Sequence, residues 1–136
     1  MPTNNKQFIE NWIEKKLQGQ GNPLEDLEEG VVFFIPGSIT NPIFGQFVGI
    51  EKVKLFFQLL QEKLLQKQAI QTLVVTDCIS EGNQVVVLLE ETFTPENDLS
   101  KPCLNHAAWF FKLSDEQKII YLYCYDNTLV TSEVLV

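Results

Sequence analysis

Between Gln71 and Asp126 four stretches rich in Val, Ile, Phe and Tyr follow one another. Polar turns separate them at Glu81-Gly82-Asn83, Pro95 to Pro102 and Ser114 to Gln117, a pattern that folds as an antiparallel meander. The chain before residue 68 reads differently. Phe8, Ile9, Trp12, Ile13 and Leu17 keep helical spacing from Lys6 to about Gln18, where Gly19 and Gly21 end the period. Asn22-Pro23 puts a capping side chain before a first-turn proline, which predicts a short helix over Leu24 to Glu29. Val31 to Ile35 is β-branched and aromatic, bounded by Gly30 and Pro36-Gly37, and reads as a strand. A loop to Gly49 follows, and then a helix from Ile50 to about Lys67 carries Val53, Phe57, Leu60 and Leu64 on one face. Helices and one strand followed by a meander predict an α+β domain spanning residues 1–136. Three N-terminal helices are expected on one face of a mostly antiparallel five-stranded sheet.

The strands predict something about the opposite face. Val85 to Leu89, Trp109-Phe110-Phe111 and Ile119 to Tyr125 lack the apolar–polar alternation of a sheet with one wet side. Three helices shield only one side, so a homodimer through the outer sheet face is expected. Charge narrows the partners further. Eighteen acids against ten bases give −8, and every base is Lys. Without Arg, and with an acidic surface, nucleic acid is not an expected partner. Cys78, Cys103 and Cys124 are odd in number and share no metal-type spacing, which reads as reduced thiols in a cytoplasmic protein. No apolar run reaches the roughly 18 residues of a membrane span, so no membrane partner is expected, and neither a metal nor a cofactor is.

The order helix, short helix, strand, loop, long helix and four-strand meander resembles the nuclear-transport-factor-2-like (NTF2-like) cone fold, and specifically its SnoaL-like branch. The local matches are Ile35-Pro36-Gly37, Gly45-Gln46-Phe47-Val48-Gly49 leading to Val53 and Phe56-Phe57, Asp115 to Ile119, and Tyr125-Asp126. Gln117 stands where that family has a turn glycine. The resemblance implies a curved sheet wrapped around a cone-shaped pocket. It also shows which chemistries lack their parts. The catalytic base of ketosteroid isomerases falls on Ile35 and their oxyanion donor on Trp109; an Asp-Arg-Asp relay cannot be built without Arg, and one of its acids falls on Cys124; a histidine pair cannot be built from His106 alone. A closer likeness covers Asn105 to Ile119, which resembles the carotenoid-binding C-terminal domain of the orange carotenoid protein. In that family a strand Trp, matching Trp109, and a helix Tyr, matching Trp12, donate to a ring carbonyl.

The candidate ligand-binding residues are therefore Trp12, Ile35, Phe57, Trp109, Phe111, Cys124 and Asp126. Each has a plainer reading: both Trp residues and Cys124 serve equally as core, and Asp126 before Asn127-Thr128 is good turn chemistry. Adjacent Glu90 and Glu91 must point to opposite faces, and the one inside the cone would have a raised pKa. His106 has parity opposite to Trp109 and is expected on the dimer side. The acidic cluster Glu25-Asp26-Glu28-Glu29 lacks calcium-ligand spacing and reads as a solvated face. Two functions are compatible with these residues. One is binding of a small lipophilic molecule in an apolar cone without a catalytic centre. The other is a cofactor-independent isomerase, dehydratase or cyclase of SnoaL type, using some combination of Glu90, His106 and Asp126 on a polycyclic or enone substrate. A carboxylate or imidazole lining an apolar pocket would favour the second.

Overall fold

The computed structural model describes residues 4–37 and 40–127. It is α+β, with two α-helices packed against a curved six-stranded mixed sheet of order β2-β1-β6-β5-β4-β3. The expected three helices and five strands are both corrected. The first helix, α1 (Asn5–Glu14), is capped by Asn4, whose Oδ1 accepts from Gln7 N at 2.8 Å, and continues as one 3₁₀ turn at Lys16–Gln18. The predicted second helix is only a 3₁₀ turn, Pro23–Asp26. Asn22 does cap it, accepting from Leu24 N. Strand β1 (Leu27–Ile35) begins four residues earlier than expected, because Leu27 pairs with Ile119 across a bulge and draws Glu28, Glu29 and Gly30 into the strand. The loop predicted up to Gly49 contains the sixth strand, β2 (Gly45–Val48), paired antiparallel with β1. Gly45 and Gly49 bound it with φ of 130° and 90°, a region open to glycine. A four-residue strand between two such glycines carries no readable alternation.

The long helix α2 (Ile50–Lys67) and the meander β3 (Ala69–Glu81), β4 (Gln84–Pro95), β5 (Cys103–Leu113) and β6 (Ile119–Asp126) match the sequence reading to within two residues at each end. The pairing β1–β6 is parallel, and it sets the last strand of the meander beside the first strand of the sheet. Residues Val85, Val87 and Leu89 of β4, Ala107, Trp109 and Phe111 of β5, and Leu122 of β6 point to the concave side and are buried. Helix α1 presses Ile9, Trp12 and Ile13 onto β3 and β4. At about 1.5 to 3 kcal/mol for each large apolar side chain, this face explains why a ten-residue helix persists. Its start is pinned to both hairpins: Asn5 Nδ2 donates to Gly82 O at 2.9 Å, and Gln117 Nε2 donates to Asn5 Oδ1 at 3.0 Å. Gln117 itself has φ of 60°. Its side-chain bond to Asn5 helps to hold the left-handed turn conformation that a glycine would adopt freely.

Candidate functional site

The concave face does not close fully on the helices. A cavity of about 100 Å³ remains, smaller than the range of about 300–1,000 Å³ usual for sites that hold a drug-sized molecule. Its walls are aromatic. Trp12 comes from α1, Phe33 and Ile35 from β1, and Phe56, Phe57 and Leu60 from α2. Ile43 and Phe44 reach it from the loop before β2. The rings lock one another edge to face, Trp12 against Phe33 at 6.2 Å and Phe33 against Phe57 at 6.1 Å, so the apolar wall is preformed.

Polar groups gather at one end of the sheet, where β4 and β6 finish and β3 and β5 begin. Cross-strand register sets Glu91 opposite Asn105 and Leu73, and Ala107 opposite Asp126. Gln71, Glu91 and Asp126 line the cavity there, with Cys124 between them and the apolar floor. Glu91 is only 7% exposed. Its Oε2 accepts from Gln71 Nε2 at 2.7 Å. Burial, opposed by the bonds from Gln71 and Asn105 and reinforced by the nearby Asp126 charge, pushes its carboxyl up from 4.5 to about 7. Such a group is divided between acid and base at neutral pH. The Cys124 thiol is also pushed up, first by burial and then by the charges of Glu91 and Asp126, which makes it a poor nucleophile.

Six of the seven residues expected from the sequence lie together in this wall: Trp12, Ile35, Phe57, Trp109, Cys124 and Asp126. Phe111 does not line the cavity. It sits in the packing beneath, fully buried, with its ring 5.7 Å from Trp12 and 6.5 Å from Trp109. The two indoles also differ. Trp12 Nε1 donates to Pro23 O at 2.9 Å, so its N–H holds the 3₁₀ turn against α1 and is not offered to a ligand. Trp109 is 8% exposed and makes no hydrogen bond through its indole N–H among the described residues. Glu90 and His106 form a cross-strand pair on the convex face, and His106 borders a shallow hollow there with Tyr123 and Tyr125. They are therefore removed from the cavity and from its chemistry. Glu91, which sequence parity could not choose over Glu90, takes their place. Once Val87 is paired with Trp109, period two carries the inward face to Leu89 and Glu91. Gln71, Phe33, Ile43 and Phe44 were not foreseen.

No family model and no curated protein matches the sequence. Solved structures do. An NTF2-like protein of unknown function from Burkholderia pseudomallei superposes with TM-score 0.79 at 16% identity, covering 99% of each chain. TerC, co-crystallised with polyporic acid, gives TM-score 0.78 at 16% identity over 96% of this chain and 97% of its own. A presumptive SnoaL-like polyketide cyclase from Jannaschia gives 0.71 at 16% identity over 96% and 90%. The chain has the NTF2-like cone fold that these proteins share. Among the described residues no helix is long and apolar enough to cross a membrane, and no group of three or more His, Cys, Asp or Glu residues is arranged to hold a metal.

Proposed function

We propose that the protein binds a small, flat, lipophilic molecule bearing a carbonyl or hydroxyl in the cone and moves a proton on it through Glu91. One observation carries this reading: a carboxyl 7% exposed lines an aromatic cavity and is held near neutrality by its surroundings. General acid–base catalysis works best when the pKa lies near the working pH, and it contributes about 10²–10⁴-fold. Stacked against the aromatic walls, a ligand would present its oxygen to the indole N–H of Trp109 while Glu91 takes or returns a proton at the neighbouring carbon. Isomerisation, dehydration and cyclisation all need that step. SnoaL-like cyclases among the structural neighbours agree with it. Binding without reaction, the other expectation from the sequence, uses the same cavity and Trp109 but leaves the raised carboxyl without a task.

The test is proton exchange on 2-tetralone in heavy water, followed by NMR. The protein should speed exchange at the carbon beside the carbonyl, and Glu91→Gln should return it to the buffer rate. If the wild-type protein binds 2-tetralone without speeding exchange, the function is binding alone.

We also propose that the convex face pairs with a second copy of the chain. Phe34, Tyr123 and Tyr125 stack in a continuous ladder at 4.6 Å and 4.0 Å. Tyr125, at the end of the ladder, is 54% exposed, and Leu88 is 41% exposed. An aromatic ladder open to water is the surface a self-association contact buries.

A further inference from the structure

The cavity carries charge of one sign only. The residues with polar groups in its lining are Gln71, Glu91, Asp126, Trp109 and Cys124. Among the described residues no Lys or His lines it, and the sequence has no Arg. The lysines whose bonds are seen are engaged elsewhere: Lys16 with Glu25 and Asp26, Lys101 with Asp98, and Lys118 with the backbone of Glu25. Lys112 lies over the Phe110 and Tyr121 rings on the convex side. A carboxylate or phosphate brought into the cone would lose its water, meet no counter-ion, and lie against the two acids.

We infer that the Glu91–Asp126 pair makes this cone an anion-excluding site, so that its ligands are flat ring compounds carrying no acidic group. This deepens the proposed function by fixing the charge class of the molecule, and it rests on the same cavity. Uncharged ketones and enols fit. So do rings bearing a protonated amine, because an ammonium finds carboxylates at the polar end and aromatic faces along the walls. Two acids on the strands flanking β5 thus act as a filter on substrate choice, apart from any proton that Glu91 moves.

Three naphthalenes of similar size test this by calorimetric titration at pH 8: 2-acetonaphthone, 2-naphthylmethylammonium and 2-naphthoate. The expected result is that 2-naphthoate binds on the order of 100-fold more weakly than the ketone, while the ammonium binds at least as tightly. In the Glu91→Gln/Asp126→Asn variant the gap between 2-naphthoate and the ketone should shrink to about threefold. Glu91→Gln alone should narrow it in the same direction, which keeps the test valid if the double variant fails to fold. Wild-type binding of 2-naphthoate within about threefold of the ketone overturns the inference. So does a gap unchanged in both variants, or a wild-type protein that binds none of the three. A correct charge order without proton exchange on 2-tetralone would remove the catalytic reading and leave the filter standing.

Discussion

Replacing Glu91 by Gln should change how stability depends on pH more than it changes stability below about pH 4.5. Glu91 holds its proton more tightly folded than unfolded, since its carboxyl titrates near 7 in the cavity against an ordinary 4.5. Its contribution is therefore complete below about pH 4.5 and is lost as the pH rises through about 7, the reverse of the usual salt-bridged acid. At about 1.4 kcal/mol per pH unit, that interval corresponds to about 3 kcal/mol. The substituted amide would remain neutral throughout and could keep a side-chain contact with Gln71, which now donates to the carboxylate at 2.7 Å. Urea unfolding of both proteins from pH 4 to pH 9 isolates the effect, because the remaining titrating groups cancel in the difference. The variant should match the wild type near pH 4.5 and exceed it by about 3 kcal/mol at pH 9. Curves that run parallel across this range would refute the argument, because Glu91 would then titrate alike in the folded and unfolded chain.

Trp109→Phe keeps most of the packing and removes the free indole donor, so the affinity for 2-acetonaphthone should fall by about 1 kcal/mol while the melting temperature moves little; a stability loss with unchanged affinity would make Trp109 simply core. Gly37→Ala places a methyl group on the Phe44 ring, which lines the cavity; a cost of about 1 to 3 kcal/mol in stability and weaker ketone binding should appear together in thermal melts and titrations. Tyr123→Glu inserts a carboxylate into the ladder between Phe34 and Tyr125, and sedimentation should show a dimer for the wild type and a monomer for the variant.

The meander was legible because its strands are long and its turns polar. Strand β5 was readable from Cys103 to Leu113 to the residue. What escaped depends on tertiary pairing. Glu28 and Glu29 have the composition of a helix start, yet Leu27 against Ile119 makes them strand. Gly45 to Val48 is too short to show a period and exists because Phe47 lies against Phe33. In the site, the family resemblance turned Trp109 into the cone and parity tied Cys124 to Asp126, but nothing set the phase of β4, so Glu90 and Glu91 stayed equivalent until cross-strand pairing chose between them. Phe111 shares the parity of Trp109 but lies where Trp12 covers the sheet. The Trp12 donor was invisible as a structural bond because its acceptor is a backbone carbonyl, that of Pro23. Phe44 enters the cavity from a loop, where no periodicity points a side chain anywhere.

The titration of the Glu91 side-chain carboxyl, followed by carbon-13 NMR in the wild-type protein and assigned by its loss in Glu91→Gln, bears most directly on the claim that the cone holds a proton-transferring acid. The account predicts a midpoint about 7 in the free protein. It also predicts a further rise when 2-acetonaphthone fills the cavity and displaces water from around the carboxyl. A midpoint at the ordinary value of about 4.5, unmoved by the ketone, would contradict it.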